Sequence, residues 1–270
     1  MPPGAATVRR PLPVLVGLGL LAAGVALYAV WTVTGWPPGP ETLYLHWLAD
    51  GVIGLSVLVT GWRARTVSRD RRAWTAITCA LAIYFVGDLY WNRFLAAQES
   101  PPYPSVADGL WLLFYVPAYV GIALLLRGNA ARTSSSELLD ALIAAPAVAA
   151  IGAATVLDPI LQADGSSTAE AATNFAYPVG DLVLLILVAT ALTTVGRSAG
   201  RGWWLLAAGL AAFGLSDVIY LLGTSGNTYV EGGLVDVGWP LASGLIAWAA
   251  WEPMPQPARD EDRARTDETL

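Results

Sequence analysis

Lysine is missing altogether from this 270-residue chain, and histidine and cysteine occur once each, as His46 and Cys79. Each scarcity removes a function. Without a lysine amine there is no Schiff base to retinal or pyridoxal phosphate. A single cysteine forms no internal disulfide, and within "TAITCALAIY" Cys79 reads as core packing on a helix. One histidine rules out a His-rich zinc site within one chain. No Walker-type loop, nucleophile elbow or HExxH motif occurs. "GLGLLAAG" (17–24) is glycine-rich but lies inside a long apolar run, where close helix packing explains it better than nucleotide binding. No cofactor and no catalytic motif are therefore expected. A hydrolase built on paired carboxylates would need a nucleophile or a metal motif as well.

Charge is also scarce, at 13% of residues, while 55% are apolar and the mean hydropathy is +0.53. That balance belongs to polytopic membrane proteins. A membrane-crossing helix needs about 20 mostly apolar residues. Eight such runs are expected, at 11–33, 43–62, 73–95, 105–126, 137–157, 174–195, 203–223 and 232–251. The first follows Arg9 and Arg10 but is too long for a signal peptide and has no small-residue cleavage site. The fold class is thus all-α and polytopic, with a membrane domain over 1–251. The polar, proline-bearing tail 252–270 is expected to be disordered.

Arginine sets the sidedness. Fourteen of the fifteen arginines fall at the N-terminus, in the even connections or in the tail; only Arg93 falls on the other side. Positive-inside bias places both termini in the cytoplasm of a protein of the inner (plasma) membrane. The cluster Arg63–Arg72 is expected to meet anionic lipid there. Twelve tryptophans divide between the two ends of the spans and read mostly as interfacial anchors, Trp74, Trp203 and Trp251 among them. The bilayer is the first expected partner. A cytoplasmic signalling partner and a homodimer stay open, and nothing points to nucleic acid.

The net charge of −6 has a particular source. Apart from Asp140 near the inner end of the fifth, six Asp residues fall inside expected spans, and the other 15 acids equal the 15 arginines. These six also mark an internal repeat. Asp50, Asp88 and Asp108 lie on the second, third and fourth spans; Asp181, Asp217 and Asp236 lie on the sixth, seventh and eighth. The spacings are 38 and 20 in one half, 36 and 19 in the other. His46 precedes Asp50 by four residues as Tyr177 precedes Asp181, and Tyr84 precedes Asp88 as Phe213 precedes Asp217. "RAW" (72–74) pairs with "RGW" (201–203), and "DGLW" (108–111) with "DVGW" (236–239). Two parallel four-helix repeats, about 11–130 and 131–251, are expected.

With alternating span directions, all six Asp fall in one layer, about 6–10 Å from the outer ends at roughly 1.5 Å per residue. An Asp at the bilayer centre costs on the order of 2.5–3.5 kcal/mol, less near the interface. Six together are expected to face one another or a wet cavity rather than lipid. The candidate pocket is Asp50, Asp88, Asp108, Asp181, Asp217 and Asp236, walled by His46, Tyr84, Tyr177, Trp111 and Trp239. Two roles stay open for each Asp. It can be polar glue, bonding a neighbouring helix or capping a broken one. Or it can line an acidic, aromatic pocket that responds to protons or holds a cation, its carboxylates titrating as a set. His46 shares a helical face with Asp50 and is the candidate pH- or metal-sensitive partner.

Three stretches, "PPYPSVADGLWLLFYVPAYVGIALLLR" (101–127), "YPVGDLVLLILV" (177–188) and "GLVDVGWPLASGLIAWAAW" (233–251), resemble the N-terminal membrane-sensor module of actinobacterial cyclic-di-GMP signalling proteins. In that family a multi-helix membrane region precedes cytoplasmic diguanylate cyclase and phosphodiesterase domains. No GGDEF or EAL sequence occurs in this chain. The resemblance therefore implies a sensory or regulatory membrane module that acts through a partner or a lost output domain, and no cyclase or phosphodiesterase activity. The alternative is a small proton- or cation-coupled transporter, since repeats and intramembrane acids also mark transporters. A transporter needs a polar path to the cytoplasmic side, and the inner halves of these spans are mostly apolar.

Overall fold

A computed structural model describes residues 10–127, 167–195 and 200–254. The expected fifth span (137–157), with Asp140, and the tail beyond residue 254 lie outside the described residues. Every described element is a helix. Helix α1 is Leu12–Thr34, α2 is Leu43–Thr66, α3 is Arg71–Leu95, α4 is Val106–Arg127, α5 is Thr168–Val195, α6 is Arg201–Ser225 and α7 is Leu234–Ala249. The first six are long and apolar enough to cross a membrane; α7 is shorter and opens with a 3-10 turn, Leu234–Val237.

The helix ends follow local chemistry. Gly35 closes α1 at φ 67°, in the left-handed region open to glycine, and its N–H donates to Trp31 O at 2.7 Å. Reciprocal Ser–acid boxes open two helices. Ser167 N donates to Glu170 and Glu170 N to Ser167 Oγ at α5. Ser105 N and Oγ both donate to Asp108 Oδ2, at 2.7 and 2.6 Å, at α4. Two helices carry π-helical turns at the same end of the bundle, Leu43–Leu48 at the start of α2 and Trp91–Leu95 at the end of α3. Such turns are frequent at functional sites.

Helices α2 to α7 form a closed ring. Each packs on the next, α7 returns to α2, and α1 lies outside against α2 and α7. Small residues bring the backbones together. A Cβ on Gly121 of α4 would lie 2.5 Å from Ile77 Cγ1 and 3.1 Å from the Ala73 carbonyl of α3. A Cβ on Gly209 of α6 would lie 3.0 Å from the Ala242 carbonyl of α7. In "GLGLLAAG", Gly17 and Gly24 face Val59 and Val52 of α2, while Gly19 faces open space.

The outer surface of the ring is apolar: Leu58 is 69% and Leu215 61% exposed. Cys79 lies on this outer face and is exposed, contrary to its expected place in the core. Where both faces of a helix are apolar, hydrophobicity does not tell inside from outside. The tryptophans also depart from expectation. Trp74, Trp203 and Trp251 are buried core residues rather than interfacial anchors. Trp251 Nε1 donates to Val59 O at 3.1 Å, which gives its polar edge an internal partner.

The arginine-rich end is tied by a charged cluster. Arg63, in the cluster expected to meet anionic lipid, is instead buried at 3% exposure. Its Nε donates to Ala250 O at 3.0 Å, and Nη1 to Val67 O at 3.2 Å and Arg69 O at 3.0 Å. Glu252, also buried, meets Arg10 at 2.6 Å and accepts from Trp248 Nε1 at 3.1 Å. Gly202 N donates to Pro253 O and Arg69 Nη2 to Met254 O, so the segment after α7 is held against the bundle as far as Met254.

Candidate functional site

At the opposite end the ring encloses a cavity of about 230 Å³. It is framed by the starts of α2, α4, α5 and α7 and the ends of α3 and α6, because alternating directions bring those termini together. Five of the six Asp line it: Asp50, Asp88, Asp108, Asp217 and Asp236. So do His46, Tyr84, Tyr177, Trp111 and Trp239. Asp181 does not. It lies one layer behind, 4% exposed, under the ring of Tyr115.

The carboxylates have different jobs. Asp108 and Asp236 tie down helix starts. Asp108 Oδ2 takes the Ser105 box, and its Oδ1 accepts from Tyr177 Oη at 3.1 Å. Asp236 Oδ2 accepts from Gly232 N at 2.6 Å and Oδ1 from Tyr229 Oη at 2.9 Å. Burial, reinforced by Asp236, holds the loop hydroxyl of Tyr229 well above the ordinary phenol range, so it stays a donor. Gly232 sits at φ 83°, and a Cβ there would also meet Leu45 at 2.9 Å.

Asp88 and Asp217 each accept from the tryptophan of the following helix: Trp111 Nε1 to Asp88 Oδ1 at 2.8 Å, Trp239 Nε1 to Asp217 Oδ1 at 2.6 Å. Tyr115 Oη lies 2.8 Å from Asp181 Oδ1 and 3.3 Å from Asp217 Oδ2, so one hydroxyl serves two buried carboxyl groups. Asp181 Oδ2 has no hydrogen-bond partner among the described residues. Asp50 Oδ2 accepts from Asn92 Nδ2 at 2.9 Å. His46 Nε2 stands 3.9 Å from Glu231 Oε1 at the mouth. Among the described residues no three His, Cys, Asp or Glu side chains converge to hold a metal ion.

Aromatic rings make the floor. Phe114 and Phe213 stack with centroids 5.0 Å apart, and Tyr84 meets Phe213 edge-on at 4.8 Å. Below them the ring is dry: a residual void of about 10 Å³ is lined only by apolar groups such as Ile77, Leu81, Ile122, Leu206 and Ile246. It is too small and too apolar to hold an ordered water.

Several lining residues were not singled out from sequence. Asn92 sits in the π turn of α3, whose extra residue per turn breaks ordinary helical spacing. Tyr115 was legible, since Trp111, Tyr115 and Tyr119 recur every four residues on one face of α4. "SVAD" (105–108) also carried the signature of a capping box, which assigns Asp108 a structural bond.

No protein-family model, curated protein or solved structure matches this chain.

Proposed function

We propose that this chain is a membrane-embedded sensory module. It crosses the inner membrane with its arginine-rich end in the cytoplasm, opens the acidic cavity to the outside, and reports the cavity's occupancy to a cytoplasmic partner. Eight spans in two parallel halves complete the reading, with the fifth span supplied by 137–157. The observation that carries it is the aromatic floor. Polar lining stops at Tyr84, Phe114 and Phe213; below them packing is mostly apolar, and the buried hydroxyls of Ser56, Thr60 and Ser243 are spent on carbonyls of their own helices. A closed-bottomed cavity suits binding, whereas a transporter needs a route onward. Matched details support the repeat: the Asp88–Trp111 and Asp217–Trp239 bonds, and a ring order in which α2–α3–α4 and α5–α6–α7 run as successive triads. The likeness to cyclic-di-GMP sensor modules suits the same role.

The test is thiol accessibility. In a Cys79→Ser background, Glu231→Cys at the mouth and Ile122→Cys beneath the floor are treated with a membrane-impermeant methanethiosulfonate reagent. Glu231→Cys should react in intact cells within minutes, and Ile122→Cys should stay at least 100-fold slower from either side. Reaction of Ile122→Cys from both sides, with proton or cation flux in proteoliposomes, would replace the sensor by a transporter. Reaction of Glu231→Cys only in inverted vesicles would reverse the orientation.

A further inference from the structure

Building on the cavity as a binding site, we infer its ligand class: a small organic cation, its ammonium group between Asp50 and Asp88 and its apolar body against the aromatic walls.

The sign of the site comes first. Acids line it from five helices and the Glu231 loop, and among the described residues no arginine does. The one base, His46, already faces Glu231. Free acceptors come next. The oxygens of Asp108 and Asp236 are all engaged by protein donors, and those of Asp217 by Trp239 Nε1 and by the one hydroxyl, Tyr115, that it shares with Asp181. Asp50 and Asp88 hold one bond each, leaving Asp50 Oδ1 and Asp88 Oδ2 without a donor among the described residues. Asp50 is only 7% exposed, so its unpaired oxygen faces the cavity rather than bulk water. Asp181, 4% exposed, lies behind Asp217 on the hydroxyl of Tyr115. Carboxylate oxygens so enclosed are costly until a donor or a positive charge reaches them.

The walls then decide between an ion and a molecule. Among the described residues no three acids converge as a ligand set for a bare metal ion. Around the Asp50–Asp88 corner stand Tyr84, Trp91 and Trp111, with Trp111 lying 6.4 Å from Tyr84 and 6.0 Å from Trp91. Ring faces within about 6 Å attract ammonium groups, Trp most strongly. At about 230 Å³ the cavity is smaller than drug-sized pockets, which begin near 300 Å³, so the ligand is small.

The test uses the full chain in lipid nanodiscs, with tryptophan fluorescence as readout, since Trp91, Trp111 and Trp239 line the cavity. The probes are choline, benzyltrimethylammonium and phenethylamine, with 3,3-dimethyl-1-butanol as the neutral isostere of choline, 2-phenylethanol as a neutral aromatic and benzoate as an anion. At least one cation should bind saturably, and at least tenfold more tightly than its neutral counterpart. Asp50→Asn and Asp88→Asn should each weaken it at least tenfold without lowering the unliganded melting temperature, while Asp70→Asn, at the other end, leaves it unchanged. The comparison of isosteres on the unaltered chain stands even where a variant misfolds. Neutral or anionic probes binding as well as cations would overturn the ligand class and leave the cavity reading intact. Binding by no probe would overturn the class too, and the Glu231→Cys labelling then separately decides whether the cavity is open at all.

Discussion

Replacing Arg63 by methionine is expected to destabilise the protein by on the order of 3 kcal/mol, because three hydrogen bonds from a charged donor, each contributing about 1.5–3 kcal/mol, are lost together while the cost of burying the guanidinium is relieved in part. The side chain is buried, and its guanidinium reaches the carbonyls of Ala250, Val67 and Arg69. Val67 and Ala250 are the C-cap residues of α2 and α7. Helix C-termini present unpaired carbonyls and a partial negative charge, so one cation placed between two of them answers both. Methionine keeps the packing of the stem and removes every donor. Lysine restores the charge without the planar fork and should recover less than half of the loss. Melting of the purified protein in detergent, followed by size-exclusion profile, measures this. A methionine variant within about 0.5 kcal/mol of the parent, the range of ordinary surface changes, would show that the cluster is ornamental.

Substitution of Gly121 comes second. Gly121→Ala is expected to cost about 1–3 kcal/mol, the usual penalty for overpacking. Gly121→Leu should leave little folded protein. The reason is that the obstacle is partly backbone: the Ala73 carbonyl stands 3.1 Å from where the Cβ would be, and Ile77 Cγ1 at 2.5 Å. A side chain can rotate away, but the carbonyl belongs to the hydrogen-bonded body of α3. Pushing α3 from α4 also pulls Trp111 from Asp88, so the damage spreads from the packed centre to the cavity. Gly19→Leu is the matched control, since a Cβ there meets nothing within 4 Å. Detergent-solubilised yield and melting temperature should separate the two leucine variants; equal behaviour would mean that α3 and α4 are not closely packed at Gly121.

Helix positions were readable in the sequence because membrane spans announce themselves by length and apolarity. The expected 43–62 and 203–223 differ from α2 and α6 only at the ends. Asp50, Asp88, Asp108, Asp217 and Asp236 were readable as a layer because an apolar run makes a carboxylate conspicuous, and alternating direction gives its depth. Burial was not readable. Cys79 and Trp74 lie five residues apart in the same apolar helix, one exposed and the other buried, and nothing in their neighbourhoods separates them. Arg63 eluded reading for a related reason: a basic cluster is scored for its side of the membrane, not for which member turns inward. The division of labour among the acids needed partners, since Asp108 and Asp88 differ by whether a serine box or a tryptophan reaches them.

The outward-facing Cys79 makes the molecule its own depth gauge. As the sole thiol, about 12 Å along α3 from its first residue at 1.5 Å per residue, it takes a nitroxide or a bimane with every other residue untouched. Oxygen and lipid-borne quenchers dissolve in hydrocarbon, whereas nickel chelates stay in water, so their relative access to that one label reads its immersion directly.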